Sequence, residues 1–167
     1  MGLNRVIGDG GKIPWKIPGE QTLFRQLTEG KVVLMGRKTM EAIGNPLPKR
    51  TNVIMTRQKG YTRPGCLIVN RFEEAIAMAR TFGTDLIVAG GAEIYSLAMP
   101  AAKIIHLSII QREFPGDAFF PEISAAEFFQ KSAELVSGSI PYIYTVYERC
   151  PGTCIFQIRN STPTGDI

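Results

Sequence analysis

Glu20 stands at the head of what should be the apolar face of a short helix. Leu23, Phe24 and Leu27 follow it by three, four and seven residues, the spacing that places side chains on one side of a helix. Pro18 suits the helix entry, because its missing N–H would be an orphan there in any case. A carboxylate near the positive helix end is a routine stabilisation of roughly a few tenths of a kcal/mol. The competing reading is an acid held for chemistry at the edge of an apolar pocket.

A second constellation surrounds "VAGGAEIY" (88–95), where two glycines join a strand to a helix. Glycine lets a backbone approach a ligand closely, and a helix start offers free N–H groups to a pyrophosphate. "MGRKT" (35–39) repeats the arrangement with Arg37, Lys38 and Thr39, and Arg57 follows Thr56 at a third strand end. Three strand ends bearing Gly, Arg and Thr make a cradle for a phosphorylated dinucleotide, and the extra arginines favour a third phosphate, as on NADP. Gly-Gly turns and surface arginines are each common alone; their joint placement is the signal.

Other chemistries lack their residues. His106 is the only histidine and lies in the strand-like "KIIHLSII", where a structural role is the ordinary one. No Ser-His-Asp or Cys-His set follows. The three cysteines, Cys66, Cys150 and Cys154, have no histidine spaced to complete a metal site, so no metal is expected.

The elements that must position these residues alternate. "KVVLMG" (31–36), "TNVIMTR" (51–57), "GCLIVN" (65–70) and the run before Gly90 read as buried strands. Helices are expected from about Lys38 to Ile43, over "RFEEAIAMARTFG", and after Gly91. "AKIIHLSIIQREF" and "IPYIYTVYERC" are later strands that close the sheet antiparallel. The 167 residues, 44% hydrophobic and 20% charged, suit one globular domain. A net charge of +4 with scattered Lys and Arg favours an anionic small molecule over nucleic acid. No stretch has the length of a membrane span and no signal peptide precedes the first motif, so a cytoplasmic location is expected.

With these residues laid out, the chain resembles dihydrofolate reductase over about residues 1–149. "NRVIGDGGKIPWKIPGE", "MGRKTMEAIGNPLPKR", "VAGGAEIY" and "FPGDAFFP" are similar to that family's signatures and come in its order. "IPWKIPGEQ" and "AGGAEIY" are closer still to the mobile, integron-borne enzymes that resist trimethoprim. The resemblance implies an α/β fold of three layers, a mixed, mostly parallel central sheet flanked by helices, in a cytoplasmic monomer. It implies reduction of 7,8-dihydrofolate to tetrahydrofolate with NADPH, small-molecule ligands, and no nucleic-acid or membrane partner.

The resemblance also assigns residues. Glu20 is the family's carboxylate toward the pterin, Trp15 orders a water beside it, and Ser108 hydrogen-bonds it from the facing strand, where the family commonly has Thr. Phe24, Ile43 and Leu47 line the pocket, and Arg50 pairs with the α-carboxylate of the substrate's glutamate tail, a geometry favouring Arg over Lys. Ile7, Gly8 and Ile13 of the first loop fall on the cofactor, with Gly36, Arg37, Lys38, Thr39, Thr56 and Arg57 at its phosphates. Ala89, Gly90, Gly91, Ala92, Glu93, Ile94 and Tyr95 surround its pyrophosphate and nicotinamide; some relatives carry a basic residue at the Glu93 position.

The family's first strand precedes the point where "MGLNRVIG" begins. Either the start lies upstream and Met1 is internal, or the atypical tail of residues 150–167, with "TCIFQIRN", fills the vacant slot. The tail also reads as a Thr/Pro/Gly-rich frayed end. Two other functions stay open on sequence: a pyrimidine reductase of riboflavin synthesis on the same fold, and a truncated, non-catalytic nucleotide-binding chain.

Overall fold

The computed structural model describes residues 1–17 and 19–152; the tail segment "TCIFQIRN" therefore lies outside the described residues. In chain order the first elements are β1 (Val6–Gly8), α1 (Glu20–Thr28), β2 (Val32–Gly36), α2 (Arg37–Ile43), β3 (Thr51–Met55) and β4 (Cys66–Val69). There follow α3 (Phe72–Thr81), β5 (Leu86–Val88), α4 (Ala92–Ala98), β6 (Ile104–Ile110), β7 (Ala118–Phe119), β8 (Phe128–Val136) and β9 (Tyr142–Arg149). No helix among the described residues is long and apolar enough to cross a membrane.

The continuous apolar runs become a parallel sheet in the order β4-β3-β2-β5. Such strands are covered on both faces, which is why they read without alternation. Val32 and Leu34 pack with Val53, Val69, Ala75, Ile94 and Ala98 beneath α3 and α4. Val33, Met35 and Ile54 face the other way and pack on Met40 of α2. Those two clusters and the sheet between them are the three layers. Leu34 stands opposite both Val53 and Val88, so β2 and β3 end together at Gly36 and Met55, and the chain leaving β5 runs on beside them to Gly90.

A second sheet is antiparallel, in the order β6-β9-β8, and β1 pairs with β7 in a two-stranded ribbon. The α/β class holds, but the expected single sheet carries a break. Among the described residues, nothing pairs with the outer edge of β5, and the outer edge of β6 is engaged only at its end, where Ile110 N donates to Met1 O and the Met1 amine to Ser108 O. The central strands β2 and β3 are buried, whereas Leu86, Ile87 and Val88 at the open edge are all half-buried. β8 was not legible as a strand: "FFQKSAELV" is polar and almost wholly exposed, an edge strand held by β9 alone.

Register fixes which amides point into the break. Ala89 N bonds Leu34 O, so in β5 the Ile87 amide faces β2 and the Val88 amide faces away. Arg149 N bonds Lys103 O, so Leu107 faces β9 while His106 and Ser108 face outward. Amide hydrogen exchange should show Ile87 and Leu107 protected and Val88 and His106 exchanging at least about a hundredfold faster. Equal protection within each pair would mean that another strand occupies the edge.

Candidate active site

Gly19, at φ 91°, turns the chain into α1 with no side-chain cap, so Glu20 enters the first turn directly from the loop. Trp15 and Ile17, just before it, are buried with Val6, Ile110, Phe114 and Tyr142. Glu20 is thereby half-buried at the rim of an apolar cluster, and burial raises its pKa above the ordinary carboxyl range. The Met1 amine and the Trp15 indole N–H pull it back down, the amine more strongly. Burial likewise pushes the Met1 amine down to about 6, with Glu20 opposing. The Glu20 charge reaches Tyr95, which burial first and Glu20 second push up to about 12.

One expected partner of Glu20 is placed differently. Trp15 lies near the carboxyl, its indole N–H lowering the Glu20 pKa, with no direct hydrogen bond between the two side chains among the described residues. Among the described residues Ser108 makes no hydrogen bond to Glu20; its carbonyl accepts the Met1 amine at 2.6 Å. His106 lies on the same strand and shares a 2.7 Å hydrogen bond with the Tyr144 hydroxyl, in keeping with a structural role.

The pocket candidates gather along α1. Phe24 lies one turn beyond Glu20, with the Arg50 guanidinium 5.9 Å from its ring centroid. Arg50 binds the end of α1, donating to Thr28 Oγ1 at 2.8 Å. Leu47 is fixed by Asn52, whose Oδ1 accepts the Leu47 N–H and whose Nδ2 donates to the Leu47 carbonyl, both at 2.9 Å. Ile43 ends α2 and is 43% exposed, open to a ligand.

The cofactor candidates form a row because β3 and β2 end level and the chain leaving β5 continues beside Gly36. Gly36 N donates to Gly90 O at 2.8 Å, joining two of the three strand ends directly. A Cβ on Gly36 would meet Ile94 at 3.2 Å, and one on Gly91 would meet Thr39 Oγ1 at 3.3 Å. Gly90, at φ 99°, lies under the Tyr95 ring, where a Cβ would come within 3.1 Å. Thr56 ends β3 and its N–H bonds Val69 O. Arg37 is paired with Glu41 at 2.8 Å and Arg57 with Glu93 at 3.7 Å, both toward solvent; Lys38 is exposed and has no resolved partner among the described residues. Ala89 and Ala92 flank the Gly-Gly turn.

From the first loop, Ile7 packs with Tyr95 and Phe120, and Gly8 O accepts the Asp117 N–H at 3.1 Å. Ile13, 66% exposed, helps line a cleft of about 460 Å³ with Lys12, Trp15 and Phe114. No group of His, Cys, Asp and Glu among the described residues is arranged to hold a metal. Sequence reasoning missed Asn70 and Arg71, which extend the same row beyond β4. It also missed Thr28 and Asn52, buried polar residues that the sequence does not set apart, Thr28 lying in "RQLTEGK" and Asn52 at the head of "TNVIM".

The sequence profile of dihydrofolate reductase matches residues 1–149. The chain belongs to the dihydrofolate reductase family. Dihydrofolate reductase type A13 of Escherichia coli is 53% identical over 152 residues, spanning 91% of this chain and 92% of that protein. Dihydrofolate reductase type 6 of Proteus mirabilis is 36% identical over 147 residues, 87% of this chain and 92% of the other. A solved dihydrofolate reductase from Enterococcus faecalis, complexed with NADP(H) and RAB-propyl, superposes with a TM-score of 0.84 at 29% identity, covering 89% of this chain and 91% of that one. The likeness to type A13 agrees with the integron-type wording of the motifs.

For a dihydrofolate reductase the balance at Glu20 has a kinetic signature. Removing the indole N–H removes an influence that lowers the Glu20 pKa, so Trp15→Phe should move the acidic limb of the kcat/KM–pH profile to higher pH. A profile unchanged in position would separate Trp15 from the carboxylate.

Proposed function

We propose that this chain reduces 7,8-dihydrofolate to 5,6,7,8-tetrahydrofolate with NADPH. The observation that carries the reading is the layout of α1. A half-buried carboxylate heads the helix and a guanidinium is bound to its last residue, Thr28. Thr28 follows Glu20 by eight positions, about 12 Å along a helix axis. A ligand with an N–H face at one end and a carboxylate at the other matches that span. Reduced folates have both; a pyrimidine intermediate of riboflavin synthesis has no carboxylate for Arg50, which disfavours the rival reductase.

The row of strand ends fits the cofactor. The glycines at 36, 90 and 91 leave backbone open where any Cβ would be crowded, and Thr39 offers a hydroxyl beside them. Arg37 and Arg57 are held only by exposed ion pairs, worth little in water, so both are free to exchange a carboxylate for a phosphate. Bound there, NADPH supplies the hydride that reduces the pterin C6.

The chain's own part is orientation and proton control. Ionised Glu20 accepts the pterin amino and ring N–H groups side by side. Trp15 holds the carboxylate from one side while Phe24 and Leu47 exclude water from the pterin face. Solvent reaching N5 past Glu20 delivers the proton, so Glu20 acts as an electrostatic anchor more than as the acid. In this reading Ser108 lines the pterin side of β6, residues 1–149 carry the activity, and 150–167 form an appended tail. The enzyme works as a cytoplasmic monomer, and kinship with types A13 and 6 supports trimethoprim insensitivity, which inhibition of turnover by the drug would test.

The loss of NADPH absorbance on adding dihydrofolate tests the reading; no turnover with saturating ligands overturns it. Glu20→Gln should lower kcat at least about a hundredfold while NADPH binding stays within twofold, since the amide cannot accept both pterin N–H groups. Arg50→Leu should raise KM for dihydrofolate by about tenfold or more with the NADPH KM unchanged. Loss of both affinities together would indicate misfolding.

A further inference from the structure

Two arginines of the cofactor row carry ion pairs, and the pairs differ in kind. Arg37 meets Glu41 four residues further along α2, its Nη1 donating to both carboxylate oxygens at 2.8 and 3.0 Å. That pair lies within one helix, a turn beyond the strand end. Arg57 instead meets Glu93 of another element, Nη2 to Oε2 at 3.7 Å. Arg57 follows the last residue of β3 by two positions, and Glu93 is the second residue of α4, two after Gly91. β2 lies between β3 and β5, so the pair closes over the end of β2, where Gly36 bonds Gly90. Two strand spacings, about 10 Å, are bridged in this way. A carboxylate thus holds the guanidinium across the mouth of the cradle that a phosphate would enter.

The bridge contributes little to the fold. Its side chains are 92% and 88% exposed, and 3.7 Å is beyond hydrogen-bond length, so the attraction is a bare charge contact in water. Its consequence is for the ligand. A phosphate outcompetes a carboxylate for a guanidinium by its greater charge and its fit to the planar fork. Glu41, once released, stands a turn away along α2, whereas a released Glu93 remains two residues from Gly91, inside the cradle. The exchange at Arg57 therefore breaks a pair and leaves a like charge beside the incoming phosphate. We propose that Glu93 is a specificity-determining residue that acts through Arg57, competing with the third phosphate of NADPH and so limiting the preference for NADPH over NADH. NADH lacks that phosphate and leaves the bridge closed. The proposal rests on the cofactor reading above and adds to it the carboxylate that restrains cofactor selectivity.

The alternative is a surface acid that repels the phosphates of both cofactors alike. Titration calorimetry with NADPH and with NADH separates the two, because it reads each affinity directly and needs no turnover. The full chain is compared with Glu93→Gln, Arg57→Gln and the double variant; both positions are exposed, so the substitutions leave the core intact. An exposed ion pair amounts to at most about a fivefold change in an equilibrium constant. Glu93→Gln should therefore tighten NADPH about threefold to fivefold at low salt, with NADH within about 1.5-fold of the parent. At about 0.5 M salt, where the screening length falls to about 4 Å, the gain should drop below about twofold. With Arg57→Gln already in place, Glu93→Gln should no longer favour NADPH over NADH. Equal tightening of both cofactors, no tightening of NADPH, or a selective gain that survives Arg57→Gln overturns the proposal. A parent chain that binds neither cofactor, or NADH as tightly as NADPH, overturns the cofactor reading and the proposal with it. That result is distinct from a parent that prefers NADPH and a variant that shifts both cofactors alike.

Discussion

Parallel pairing of β2 on both its edges is the constraint on which the rest of the molecule depends. Val32, Val33, Leu34 and Met35 are fully buried, two on each face, and each is worth about 1.5–3 kcal/mol of removal from water. A slip of one residue would exchange the two faces and set the α3/α4 side against α2. Register is therefore strongly specified, and it sets Gly36 opposite Met55 and Leu34 opposite Val88, which carries Gly90 up to Gly36. The Gly36–Gly90 hydrogen bond follows from that alignment, and so does the closeness of Thr39 to Gly91. The cofactor row is a consequence of sheet register before it is a set of binding residues.

Glu20 depends on a different balance. An acid wholly inside the Trp15–Phe114–Tyr142 cluster would be protonated and could not anchor a cation-like N–H face, and one in water would bind weakly. Half-burial at a helix start, with an indole N–H and an amine beside it, lies between these limits. Desolvation outweighs the pull of the amine and the indole N–H, so small changes around the carboxylate are expected to move its titration more than its position. The far end of the helix works by geometry instead: Thr28, Arg25 and Pro48 supply oxygen atoms that fix a group whose charge never changes.

Legibility in the sequence tracked burial. The β2, β3 and β6 runs were evident because both faces of the sheet, or alternate residues, are apolar. α2, α3 and α4 were evident because Gly or an apolar period bounds them. β8 was hidden, since an exposed edge strand with a bulge at Gln130–Ser132 is written in Lys, Ser, Ala and Glu, residues that suit a helix as well. At the site, motif-bearing residues such as Glu20, Arg50 and the Gly-Gly turn were evident, but who contacts whom was not. Ser108 offers its backbone carbonyl to the Met1 amine, and Arg37 pairs with Glu41 one turn along α2, contacts that no motif spacing announces. Thr28 and Asn52 were passed over because each stands among other polar residues, and its burial is evident only once its partners are known.

The break between β5 and β6 bears directly on the site, because the two sides of the pocket belong to different sheets. β5 leads into Ala89, Gly90 and Gly91, while β6 carries Ser108 and ends beside Met1. Between them the described contacts are side chains, chiefly Tyr95 on Phe120 at 4.9 Å with Ile7 and Met99 around them, and not a hydrogen-bonded ladder. Ladder pairing is cooperative and directional, whereas an aromatic contact tolerates tilt and translation. A dinucleotide on the β5 side and a pterin on the α1 side would touch both halves at once. Ligands that bridged the two halves would stabilise the folded chain as well as bind to it, which would link affinity to folding stability through the same surface.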